Sequence, residues 1–340
     1  MTLQNIQILR LTAGVTTAVA VAYGMAWPLS FITPLFGSIF LVIPVWIGWR
    51  MALQLLFRLG WSLLIGLIIS EFFLDFPLLC VPLYGLLFFY IYYNDTPAAP
   101  PMAAMFMTIG ITIVPIMGLS GVLLAHIIVV ALLFNLLAGL FFAWLFHMLI
   151  PDSIAQHSTQ ATPEKKPAPP LEPPREERVR LALVSTIVAL TAITIFFSLN
   201  LVTYAFAMIQ ICFMAGTPSA NASFQAIKGN ALACCIGGVV IIIVFNLLVA
   251  VPTYLFLVTL ICCVALFFSR QIFAGGPMSK VHISSLTTFL VLLGTSTMVD
   301  KVASTNFYLR IAQILFAGLF TVAGLIIVEH LLRPKKNVRG

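Results

Sequence analysis

The chain has 340 residues, of which 61% are hydrophobic and only 8% charged, and its mean hydropathy is +1.12. That leaves too little polar surface to cover a water-soluble globule of this size, so composition places the chain in a lipid bilayer. The net charge of +7 is not a nucleic-acid signal, because the Lys and Arg residues sit at the ends of apolar runs and in short loops, with no basic stripe of interleaved aromatics.

A spanning helix needs about 20 mostly apolar residues. In chain order the expected spans are 8 to 27, 29 to 47, 53 to 71, 76 to 93, 102 to 119, 122 to 149, 180 to 199, 201 to 216, 229 to 250, 253 to 269, 283 to 299 and 307 to 331. Some are short or merged, which leaves ten as the alternative to twelve. Continuous apolar runs favour helices over a transmembrane barrel, whose strands alternate in polarity.

The first run is long and is followed by no small-residue cleavage pattern, so it is expected to be a retained first helix. Arg10 opens it. Arg58 begins the third span among apolar Leu55, Leu56, Phe57 and Leu59, an expensive place for a charge without a function. The fourth and fifth spans are separated by Tyr93-Asn94-Asp95-Thr96-Pro97-Ala98-Ala99-Pro100-Pro101. Within the sixth span, His126 and His147 read as packing residues. Trp27, Trp46, Trp49, Trp61 and Trp144 lie near expected helix ends, as an interfacial belt requires.

Pro151 to Glu177 is the extended polar segment, with seven prolines and charges of both signs. It cannot bury enough apolar surface to fold, so residues 151–179 are expected to form a disordered cytoplasmic linker. That argues against a cytoplasmic enzyme domain, and no enzyme activity is expected.

Beyond the linker the order of features recurs. Arg10-Leu11 aligns with Arg180-Leu181, Arg58 with Lys228, Gly66 with Gly237 and Pro101-Met102 with Pro277-Met278. Ala138-Gly139-Leu140-Phe141 returns unchanged as Ala317-Gly318-Leu319-Phe320. The fold class is therefore an all-α integral membrane protein of about twelve transmembrane helices, arranged as two six-helix repeats over residues 1–150 and 180–340. A cytoplasmic N-terminus collects nearly all Lys and Arg on the inner side, and Glu71, Asp75 and Asp300 at outer ends. Both termini are then cytoplasmic, each half crosses an even number of times, and the repeats run parallel, with a pathway expected between them.

Two kinds of feature could carry transport. Arg10, Arg58, Arg180 and Lys228 recur as cations at corresponding places, and read either as anchors snorkelling to headgroups or as a set that draws in an anion. The break after Tyr93 corresponds to Phe273-Ala274-Gly275-Gly276-Pro277, and matching Gly/Pro breaks point to a substrate site or to two plain turns. Asp95 and His282 flank the breaks as candidate proton carriers. The cysteines lie inside apolar runs and form neither a disulfide framework nor a zinc spacing, and no cofactor is expected. Gly275-Gly276-Pro277-Met278-Ser279-Lys280 lacks the spacing of a nucleotide-binding loop, so the energy source is expected to be an ion gradient, the substrate's own gradient or a partner.

These residues resemble the fusaric acid resistance and aromatic acid exporter superfamily, in particular a compact bacterial branch. The resemblance rests on Leu9-Arg10-Leu11-Thr12-Ala13 before an apolar helix, on Trp27, and on Arg58-Leu59-Gly60 leading into a helix with Gly66, the block being repeated. It implies a bacterial inner-membrane exporter of aromatic or other small organic acids, a class that often works with a periplasmic adaptor of the membrane-fusion type. The larger exporters carry sizeable cytoplasmic domains, and this chain has a linker in their place. The alternatives are a membrane scaffold that does not transport and a passive anion channel.

Overall fold

A computed structural model describes residues 2–95, 102–152, 174–216, 220–276, 278–297 and 303–332. Among the described residues the chain is helical throughout: α1 (Leu3–Gly24), α2 (Ile32–Val42), α3 (Trp49–Ile68), α4 (Pro77–Asn94), α5 (Ala103–Gly118), α6 (Val122–Leu149), α7 (Arg175–Ser198), α8 (Ala205–Ala215), α9 (Ala220–Ala250), α10 (Tyr254–Phe273), α11 (Ser279–Thr297) and α12 (Ala303–Leu332). In hydrocarbon every backbone polar group must find its partner within the segment, which is why such apolar runs form helices.

Seven of these helices are long and apolar enough to cross a membrane: α1, α3 with its extension to Phe73, α4, α6, α7, α9 from Leu232 and α10. Shorter apolar helical stretches cover Ile32–Val42, Ala103–Gly118, Ser279–Gly294 and Phe316–His330. Leu78 is 90% exposed, Leu255 77% and Leu123 75%. Large side chains left open along apolar helices suit a hydrocarbon solvent rather than water. The chain is a multi-pass helical membrane protein.

Helix boundaries follow local chemistry. Thr2 caps α1 by accepting the Asn5 N–H at 3.3 Å, and Pro77 opens α4 in the first turn, where a missing N–H costs nothing. Before α4, α3 widens into a π-helical turn over Ile69–Phe73 that carries Glu71. Glu71 Oε1 lies 3.2 Å from His126 Nε2, while the His126 Nδ1 lies 3.0 Å from the Val122 carbonyl. The sequence reading of His126 as packing thus missed an acidic partner, whose position depends on the extra residue in that turn.

The linker expectation needs one correction. Residues 175–179 belong to α7, which starts at Arg175 with Glu176 and Glu177 in its first turn, a favourable place for negative charge. Pro174 stands at the N-cap. Residues 153–173 lie outside the described residues.

The helices divide into two compact units, and neither follows chain order. One contains residues 1–56, 130–167 and 229–312; the other contains 57–129, 168–228 and 313–340. In the first, α1 packs on α2 and α10, α2 on α11, and α10 on α11. In the second, α7 packs on α8 and α4, α8 on α5, and α4 on α5. Adding or subtracting six from each helix number converts one scheme into the other.

Small residues set the closest approaches. A Cβ on Gly66 of α3 would collide with the Gly110 carbonyl oxygen of α5, and one on Gly237 of α9 would stand 2.7 Å from the Ser285 carbonyl oxygen of α11. Glycine at both places lets the backbones touch, the usual device for packing helices where lipid competes equally for apolar side chains. Polar groups are closed inside each unit. In one, Thr33 donates to Asn135 Oδ1 at 2.6 Å and Thr12 to Ser269 Oγ at 3.2 Å. In the other, Tyr84 donates to the Ile111 carbonyl at 2.9 Å and Tyr92 to the Cys212 carbonyl at 2.7 Å, beside a core of Phe88, Val188, Ala192 and Met208.

Candidate functional site

The second unit contains a cavity of about 830 Å³ walled by α3, α4 and α5, within the size range of small-molecule sites. Each wall is one helix face. On α3, Phe57, Arg58, Trp61 and Ile65 recur at helical spacing; on α4, Leu87, Tyr90, Ile91 and Asn94 do the same; on α5, Ala103, Ala104, Met107 and Ile111 complete the lining with Asp95 beyond the end of α4. Small Ala103 and Ala104 leave room where α5 begins. Phe57 and Trp61 stack with ring centroids 6.4 Å apart and planes 12° from parallel.

Among the described residues two charged side chains face this cavity, Arg58 and Asp95. They do not pair with each other, and neither forms an ion pair with another described residue. Partial burial pushes the Asp95 carboxyl above its ordinary range, because desolvation penalises the charged form. The C-terminal end of α4 is itself an unfavourable place for negative charge. Asn94 closes that helix end by donating Nδ2 to the Tyr90 carbonyl at 2.8 Å. Opposite, α5 starts from Met102, whose φ of 65° is left-handed and whose side chain makes no cap, so the first-turn N–H groups of α5 lack a side-chain acceptor from that residue. A guanidinium, a helix N-terminus, a carboxylate and three aromatic rings thus share one largely apolar space.

Of the six candidate residues, the fold brings Arg58 and Asp95 together and treats the others differently. Arg10 is 1% exposed and does not line the cavity: its Nη1 donates to Asp152 Oδ1 at 3.0 Å and its Nη2 to the Pro44 carbonyl at 2.6 Å. His147, in the last turn of α6, accompanies it, with Nε2 3.3 Å from the Ile43 carbonyl. Arg180 stands 3.7 Å from Glu329 of α12. The two aligned arginines therefore each meet an acid at or beyond the end of the last helix of their half. Asp152 and Glu329 were absent from the sequence candidates, although each is an acid at the close of an apolar run. Lys228 lies on α9, with its side chain outside the described residues. His282, on α11, packs against Phe268 at 6.4 Å between centroids, and its Nδ1 is buried with no hydrogen-bond partner among the described residues.

The break after Tyr93 falls at this cavity through Asn94 and Asp95, whereas residues 96–101 lie outside the described residues. In the corresponding break Gly275 has φ 73°, a conformation that favours glycine, and Pro277 is outside the described residues. The aromatic lining, Trp61 and Tyr90 above all, was not legible as a site. Trp61 had been placed in an interfacial belt on position alone.

Comparison with known proteins adds one match. The model of a family described as a protein of unknown function, DUF2955, matches residues 7–150. No curated protein and no solved structure matches the chain.

Proposed function

We propose that this protein is an inner-membrane exporter of small organic acids, driven by an ion gradient, in which Arg58 holds the acid group of the substrate. The observation that carries this reading is a cation without an ion-pair partner among the described residues, in a cavity lined mainly by aromatic and apolar side chains, in a multi-pass helical membrane protein. An intramembrane charge that is not neutralised by the protein is costly unless something else meets it, and a small anion with an apolar body satisfies both the guanidinium and the walls. Arg10 and Arg180 are assigned to anchoring, since acids already meet them.

The wider architecture belongs to the same proposal. Twelve spans in two parallel halves are supported by the equivalent pairing schemes and by the glycine contacts at Gly66 and Gly237. The family match ends at residue 150, where the first half ends. Cytoplasmic termini rest on the distribution of Lys and Arg. The bias toward aromatic acids, the bacterial inner membrane and a periplasmic adaptor rest on the resemblance drawn from the sequence.

The test is accumulation of a panel of aromatic and aliphatic acids in cells expressing the parent or Arg58→Gln at matched membrane levels. The variant is expected to lose most of its efflux while inserting normally. Unchanged export of an acid that the parent moves against its gradient removes Arg58 from the site. Movement only down a gradient turns the reading to a channel.

A further inference from the structure

The cavity carries a second charge that an anion alone leaves unanswered. Arg58 stands on α3 and Asp95 just past the end of α4, in the same cavity but unpaired with each other. The helix ends beside them repeat that polarity. The first turn of α5, with Ala103 and Ala104 on the wall, is the positive end of its dipole; the last turn of α4, with Ile91 and Asn94 on the wall, is the negative end of its own. The nearby cation on α7, Arg178, is taken up elsewhere: it lies over the Tyr93 ring at 4.8 Å and donates to the Tyr93 carbonyl at 3.0 Å.

We infer that the cavity is built for a zwitterion, an α-amino acid with an aromatic or large apolar side chain, whose carboxylate meets Arg58 and whose ammonium meets Asp95. This rests on the reading of the cavity as the substrate site and narrows its class. A simple carboxylate would satisfy Arg58 while placing a second negative group in the same cavity as Asp95, which is repulsive. A zwitterion pairs both charges and adds no net charge to the cavity, so the desolvation cost of each group is offset. Partial desolvation favours the protonated form of Asp95, and a bound ammonium would favour its charged form. Phe57, Trp61 and Tyr90 provide the surface for the side chain, and about 830 Å³ accommodates an aromatic amino acid. In transporters with discontinuous helices, half-helix N-termini face substrate carboxylates and C-terminal ends face coupling cations, the same polarity as the ends of α5 and α4 here.

The experiment uses the full chain in nanodiscs of zwitterionic lipid, so that no anionic headgroup competes, and measures binding calorimetrically for three matched probes. These are phenylalanine, 3-phenylpropanoate without the ammonium, and 2-phenylethylamine without the carboxylate. Phenylalanine is expected to bind at least tenfold more tightly than either analogue. Asp95→Asn should bring phenylalanine to the affinity of phenylpropanoate without weakening the latter, and Arg58→Gln should weaken both acids. Phenylpropanoate binding as tightly as phenylalanine in the parent protein overturns the zwitterion and leaves the anion site standing. Binding of neither acid overturns both readings. The ranking of the three probes on the unmodified protein decides the matter even where a variant does not fold.

Discussion

Arg10, buried on α1, holds Asp152, just past the end of α6, in an ion pair of 3.0 Å, and also donates to the Pro44 carbonyl that follows α2. One guanidinium on α1 thereby ties together the C-terminal ends of α2 and α6 in the first unit. Removing Asp152 leaves a buried charge with one remaining acceptor, and the Nε of Arg10 already has no partner among the described residues. Asp152→Ala should therefore destabilise the protein by about 1 to 3 kcal/mol, the cost of stranding a buried donor, since Asp152 itself is part-solvated. Arg180→Gln should cost less, because that pair is longer, at 3.7 Å, and more exposed. Thermal unfolding in detergent compares the two; equal losses would mean that burial does not separate them.

The carboxyl of Asp95 gives a pH dependence whose sign can be worked out. Burial raises its folded value above the ordinary 3.8, so between the two values the folded protein binds more protons than the unfolded chain. Stability from this group is then lost as pH rises from the unfolded value through the folded one. Asp95→Asn removes that loss. The variant should be more stable than the parent at neutral pH, and the gain should shrink as pH falls toward 3.8. Melting curves of both proteins across that interval measure it, and a gain that grows on acidification would contradict the burial of the carboxyl.

Gly66 and Gly237 are expected to be intolerant for the same reason. Each faces a backbone carbonyl of the helix two places later in its half, Gly110 and Ser285 respectively, so a larger side chain cannot be absorbed by moving a flexible end. Gly66→Val should destabilise by about 1 to 3 kcal/mol through overpacking and should displace α5 from the cavity that Arg58 shares. Gly237→Val should destabilise similarly while leaving probe binding at that cavity intact. Unfolding in detergent together with phenylalanine binding separates the two effects.

Most of the helices were legible from residue order alone. Twelve apolar runs between turn residues correspond to twelve helices among the described residues, because a backbone in hydrocarbon has no alternative to internal hydrogen bonding. The Gly275 turn stands where the second break was expected. The Arg58 candidate also came from sequence, since a charge among Leu55, Leu56, Phe57 and Leu59 is conspicuous by its solvation cost.

Partnership between helices was not legible. A helix that is apolar nearly all round has no stripe to mark which face packs on protein and which on lipid, so nothing in α1 announces α10 as its neighbour, nor in α4 the neighbour α7. The same indifference hid the fates of the aligned cations. Arg10 and Arg180 stand in the sequence as candidates beside Arg58, and only the tertiary structure brings Asp152 and Glu329 to the first two and a cavity with Trp61, Tyr90 and Asp95 to the third. Hydropathy determines that a segment enters the membrane; the contacts of small residues and the pairing of buried charges decide which segment it meets there.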